Sequence, residues 1–376
     1  MARSFLRLTT DGYTVKWERH TEFTRYTIVQ NLPDAVAAGG DSPELTSFVK
    51  TPPGWLGSIP GKVIVAIELS IIPGDLQSVD ETLARAHRWM GSDSVVASVM
   101  GNNSHSWAVA DFVLRPSGFE RMLIFTSPGT TASRAGRISQ RLLELETYRL
   151  MALLGLPIAK QLGPMLNLAE LSLAGIATQM ESKSTSDQDL LDKLVSLAAR
   201  VERAVADHVY RFSATQAYDT LVKQRIGELR EKPIPGTQTI GEFMQRRLSP
   251  AIATVASAEK RQVSLSERVS RASALLRTRV DIVTEGQNQK LLEKLTRGQE
   301  LQLNLQTMVE GLSIAVISYY VVSLMSYGVK MLKVLGLPID SDIAVGVSIP
   351  LVLWGVWIAT QRIHKKIAHH WFNATD

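Results

Sequence analysis

The sequence predicts an α+β membrane protein with an N-terminal mixed α/β domain, a helical middle that runs on into a long stalk helix, and a C-terminal hairpin of two transmembrane helices. Three observations predict it. β-Branched runs bounded by Pro-Gly pairs lie before residue 130, as in Lys62 to Ile72 between Pro60-Gly61 and Pro73-Gly74. Beyond Thr131 the apolar residues recur at three- and four-residue steps, the period of a helix face. Two 19-residue runs without charge then follow, Gly311 to Val329 and Ile343 to Gln361, each close to the roughly 20 residues that cross about 30 Å of hydrocarbon.

Taken in order, residues 1–130 form the α/β domain. Its strands are expected at Lys62 to Ile72, Ser94 to Met100, Ser106 to Leu114 and Phe119 to Phe125, with a helix at Asp80 to Met90. Residues 131–248 form the helical domain. Ser133 to Leu154 ends at Gly155 and Pro157, a second helix reaches about Glu181, and Ser184 to Asp187 supplies helix caps. Leu190, Leu194, Leu197, Val201, Val205 and Phe212 mark one face of a long amphipathic helix that reaches about Arg230 before Pro233, Pro235 and Gly236 break it. Residues 249–310 contain one proline, Pro250 at their start, and read as a single stalk helix running into the first span. Val269, Ala272, Leu276 and Val283 fit a heptad seam that Gly286 and Lys290 interrupt, which favours packing on the body over a continuous two-stranded coiled coil.

The first span occupies 311–335, a loop 336–342, the second span 343–361 and a basic tail 362–376. Lys290, Lys294 and Arg297 precede the first span and Arg362, Lys365 and Lys366 follow the second, against Lys330 and Lys333 between them. That asymmetry places both termini in the cytoplasm, with Arg362, Lys365 and Lys366 at the lipid headgroups. Met1 to Gln30 carries Arg3, Arg7, Lys16, Glu18 and Arg19 without a continuous apolar core, so no cleavable signal peptide is expected there.

Composition excludes some chemistry. The chain has no cysteine, which removes disulfides, zinc ribbons and thiol nucleophiles. Net charge is +5, but Lys and Arg are interspersed with acids rather than gathered into a stripe with stacking aromatics, so nucleic acid is not an expected partner. Gly57 to Lys62 (GSIPGK) is too short for a phosphate loop, and a strand is expected after it instead of a helix. No G-x-S-x-G elbow or H-E-x-x-H pair is present, and neither enzymatic activity nor a cofactor is expected.

Trp17 to Phe23 (WERHTEF) admits two readings. As a strand it would put Glu18, His20 and Glu22 on one face, where they could ligate a metal; a charged face paired with neighbouring strands explains the same alternation. In the first span Ser313, Tyr320, Ser323 and Tyr327 share a helix face that ends near Lys330, a stripe suited to lining a pore or to ordinary helix packing in lipid.

Val15 to Thr27 (VKWERHTEFTRYT), Ile138 to Pro157 (ISQRLLELETYRLMALLGLP) and Ser313 to Ser323 (SIAVISYYVVS) resemble a family of bacterial membrane-anchored proteins classified as a domain of unknown function. The resemblance covers nearly the whole chain and implies a multi-pass inner-membrane protein with no assigned activity. The order of parts also resembles the CorA-type magnesium channels. Their Gly-Met-Asn motif is replaced by Gly328-Val329-Lys330, and a ring of lysines at a pore mouth would repel a divalent cation. The expected function is therefore a membrane-anchored, non-enzymatic protein that assembles with itself or with cytoplasmic partners at the bilayer, with a CorA-like channel or transporter as the alternative.

Overall fold

The computed structural model describes residues 4–38, 42–334 and 341–372. The chain divides into two compact units, Met1–Arg277 and Thr278–Asp376. The α/β and helical parts expected as separate domains therefore fall together in the first unit. The physical reason is a shared core: Ile138, Leu142 and Leu145 pack with strand residues Val96, Ala108, Met122 and Ile124.

The first unit opens with a three-stranded antiparallel sheet: β1 (Phe5–Thr10), β2 (Tyr13–Arg19) and β3 (Thr24–Gln30). Thr10 pairs with Tyr13, which leaves Asp11 and Gly12 as a two-residue turn. Gly12 has φ +97°, in the range that glycine adopts without a steric penalty. A short helix, α1 (Asp34–Ala38), follows.

The second sheet has the order β4-β7-β6-β5-β8: β4 (Ile67–Pro73), β5 (Val96–Met100), β6 (Ser106–Ala110), β7 (Glu120–Thr126) and the short β8 (Lys232–Pro233). The β4–β7 pair is parallel and the other pairs antiparallel, so the expected mixed sheet is present. Residues 62–66 were expected to begin the first of these strands, but β4 starts at Ile67. Val63 is 79% exposed there, so its β-branched side chain has no packed surface to reward strand formation.

Alternation along the strands builds two cores. Val96, Met100, Ala108, Met122 and Ile124 face α3 (Ala132–Leu153) and α6 (Ile240–Arg247). Ala97, Trp107, Val109, Leu123 and Phe125 share the other core with Ala86, Trp89 and Met90 of α2 (Val79–Met90). A capping box starts α6: the Glu242 amide donates to the Thr239 hydroxyl at 3.1 Å and the Thr239 amide to the Glu242 carboxylate at 2.9 Å. Within the β4–β7 pair, Glu68 lies opposite Arg121, and the two side chains meet at 3.4 Å with only 6% and 5% of their surface exposed. Arg121 also donates to the Trp89 and Pro43 carbonyls, so its buried charge is well solvated by the protein.

A layer of helices completes the unit: α4 (Gly155–Ser182), α5 (Asp187–Leu229) and the start of α7 (Ser249–Val334). Leu162, Leu166 and Leu173 of α4, Leu190, Leu194 and Val201 of α5, and Leu265, Val269 and Leu276 of α7 form one core. Ser186 caps α5 by accepting from the Gln188 amide at 3.3 Å. At the α3–α4 junction, a Cβ on Gly155 would collide with the Thr215 hydroxyl, so glycine lets α5 approach closely there.

The second unit holds the rest of α7 and α8 (Ser341–Phe372). The residues expected as stalk and first span, 249–334 among those described, lie in one helix, α7. Helix α8 continues past Arg362 rather than ending at Gln361, so the tail expected at 362–376 is helical through Phe372. Residues 335–340, which include most of the expected loop, lie outside the described residues. Among the described residues one helix is long and apolar enough to cross a membrane, and its apolar run lies in α7.

Candidate functional site

The segment WERHTEF does not form a single strand. Glu18 and Arg19 end β2, residues 20–23 form the loop to β3, and the His20 amide closes that loop on the Phe23 carbonyl at 2.9 Å. Glu18, Glu22 and His20 are each drawn to a different partner. Glu18 meets its cross-strand neighbour Arg25 at 2.6 Å, Glu22 meets Arg211 of α5 at 2.6 Å, and His20 stacks on Phe23 with ring centroids 4.5 Å apart. The expected metal site at Glu18, His20 and Glu22 is thus not assembled, and no group of three or more His, Asp or Glu among the described residues is arranged to hold a metal. The reason is electrostatic: arginine neutralises both carboxylates before a cation is needed.

The loop instead forms one side of an open cleft of about 580 Å³. Arg19, His20, Thr21 and Phe23 line it from the hairpin, Tyr148 from α3, and Tyr218 and Leu221 from α5. Tyr148 and Tyr218 stack at 5.9 Å. Burial and then the nearby Glu144 carboxylate raise the Tyr148 hydroxyl above its usual range; burial and then Glu22 do the same to Tyr218. Both phenols therefore remain hydrogen-bond donors over the whole neutral range.

Beneath the cleft runs a chain of ion pairs. Arg25 reaches Glu18 and Glu144, Arg225 binds Glu144 at 2.5 Å and Glu228 at 2.9 Å, and Arg141 holds Glu228 at 3.2 Å. Its members come from β2, β3, α3 and α5 and fasten the hairpin onto the helical layer. Two of the segments that carried the family resemblance, Val15 to Thr27 and Ile138 to Pro157, meet here through Arg25, Glu144 and Tyr148. Sequence reasoning missed Arg211, Tyr218 and Arg225, which sit about 190 residues away on a helix whose spacing announces only its buried face. The Asp11-Gly12 turn signal was available to reveal the neighbouring β1–β2 pair, whose second strand leads into the loop.

A second polar cluster lies deeper. Glu146 is fully buried on α3 and pairs with Arg149, which also reaches Glu120 at 3.6 Å and lies over the Phe112 ring at 5.5 Å. Burial pushes the Glu146 carboxyl up to about 8 against the opposing pull of Arg149.

Within α7, Ser313, Tyr320, Tyr327 and Lys330 are exposed and Ser323 is half-buried. The buried residue of this region is Ser318, 4% exposed, on a different face of the helix. The Ser313 hydroxyl returns to the Val309 carbonyl at 2.8 Å, and the Lys330 ammonium lies 5.8 Å from the centre of the Tyr327 ring. Arg362 is exposed; the side chains of Lys365 and Lys366 lie outside the described residues.

Fold and site together define an α+β body, with an aromatic and arginine-lined cleft, on a chain that carries a helix long and apolar enough to span a bilayer. The chain belongs to the family described as Protein of unknown function (DUF3422), whose model matches residues 2–367. No curated protein and no solved structure matches it.

Proposed function

We propose that this chain is a membrane-anchored, non-enzymatic protein whose cytoplasmic body assembles with itself or with protein partners at the bacterial inner membrane. The observation that carries the reading is the course of α7. Its first part contributes Val255, Leu265, Val269 and Leu276 to the core of the body, and the same helix goes on to contain the uncharged run Gly311 to Val329. Leu312, Tyr319, Leu324 and Met331 are between 69% and 71% exposed, an apolar surface that lipid would cover.

The second span, Ile343 to Gln361, falls within α8 and has the same uncharged length. Burial of Ser348 and partial burial of Val352, Val356 and Thr360 at four-residue steps give α8 a sheltered face, as a hairpin partner requires. The basic residues on either side orient both termini inward.

Because the chain has no cysteine, single substitutions report topology directly. In intact spheroplasts, Ser341→Cys is expected to react with a membrane-impermeant maleimide, while Ser117→Cys in the body reacts only after lysis. Labelling of Ser117→Cys in intact spheroplasts, or release of the full chain by alkaline carbonate, would overturn the reading.

A second reading is a conducting oligomer of CorA-like build. It draws support from the exposed positions of Ser313, Tyr320 and Tyr327, with half-buried Ser323 beside them, which leave a hydroxyl-bearing face of α7 free to meet other copies. Lys330 at the end of that face argues against cations as the conducted species. Native mass spectrometry of the detergent-purified protein decides between the two: a ring of five supports conduction, and a monomer or dimer leaves no central pore.

A further inference from the structure

The cleft beside the β2–β3 loop has the size and lining of a small-molecule site and is independent of the membrane anchor. Its volume, about 580 Å³, lies within the roughly 300–1,000 Å³ typical of ligand pockets. Two stacked aromatic pairs border it, His20 with Phe23 and Tyr148 with Tyr218, and Leu221 adds an apolar patch. Flat rings bind such surfaces by offset stacking.

The charge balance gives the sign of the ligand. No acid among the described residues lines the cleft, and the acids that neighbour its lining residues in the chain are each held by a basic partner: Glu18 by Arg25, Glu22 by Arg211, Asp219 by Lys223 and Glu144, one turn before Tyr148, by Arg225. Arg19 lines the cleft with no ion-pair partner among the described residues, so its positive charge is left uncompensated. Thr21, Tyr148 and Tyr218 add hydroxyl groups.

We propose that this cleft binds a small organic anion carrying a flat ring, with the ring against the aromatic pairs and the charged group at Arg19. Nucleoside phosphates and aromatic carboxylates share that chemistry, and the test separates them. Saturation-transfer NMR on the full chain in a non-ionic detergent would titrate adenosine monophosphate, benzoate, adenosine and inorganic phosphate. At least one of the first two is expected to bind at least about tenfold more tightly than adenosine and inorganic phosphate, the worth of a charge-assisted contact. The tighter of the two names the source of the anion. Arg19→Ala is expected to weaken that ligand about tenfold and leave adenosine unchanged, while Lys160→Ala, on an exposed part of α4 outside the cleft, changes neither. The proposal is overturned if neither ring anion binds, if adenosine binds equally well, if Arg19→Ala has no effect, or if Lys160→Ala weakens binding as much. Arg19 lies on β2 and not on α7, so membrane retention is expected to be identical in every variant whichever way binding falls.

Discussion

Glu146 carries a desolvation penalty that the fold imposes on it. Its carboxyl is fully buried on α3, and burial raises it from an ordinary value of 4.5 to about 8. The unfolded chain releases this proton near 4.5 while the folded chain keeps it until about 8. Its contribution to stability is therefore fully present below pH 4.5, declines by roughly 1.4 kcal/mol per pH unit through the window between, and is lost above about pH 8. Glu146→Gln keeps the shape and a hydrogen bond to Arg149 but cannot ionise. Chemical denaturation should find the variant indistinguishable from the parent near pH 4.5 and more stable than it at pH 8.5. Equal stability at both pH values would show that Arg149 compensates the charge in full. At this scale the sequence was least informative. It marks Glu146 as one acid among many on a helix, and only the fold shows that no water reaches it.

The elements follow from local spacing, and α7 shows both how far that goes and where it stops. Val269, Ala272 and Leu276 were legible as a seam, and all three join the helical core. Val283, the next member, falls in the second unit and is 53% exposed. Leu275 and Leu276 are neighbours in sequence, yet they are 65% and 0% exposed. Leu276→Ala should therefore cost about 2–5 kcal/mol through the cavity it opens, while Leu275→Ala stays within about 0.5 kcal/mol. Thermal unfolding of the two variants checks this, and equal losses would mean that another surface covers Leu275. Helix ends were legible within a few residues wherever Gly, Pro or a capping residue stands, as at Gly155 and Ser186. The strand expected from Lys62 was overextended, since β-branched residues form strand only where a neighbour pairs with them.

At the scale of the whole molecule, what matters is which distant segments meet. The hairpin of β2 and β3 is fastened to α5 by Glu22–Arg211, a contact between residues 189 positions apart. The cleft, the ion-pair chain and any ligand chemistry they support depend on that docking. The metal reading failed here for the same reason, since the arginines that claim Glu18 and Glu22 arrive from β3 and α5. By itself the sequence determined the α+β class, the succession of helices from Thr131 onward and the long apolar run in α7, because hydrophobic period, turn residues and absence of charge act over a few neighbouring positions. Only the tertiary structure decided the strand order β4-β7-β6-β5-β8, the union of the α/β and helical parts in one unit, and the pairing state of each buried charge. Those depend on contacts between residues far apart in the chain, where burial strengthens electrostatics and local pattern carries no record of the partner.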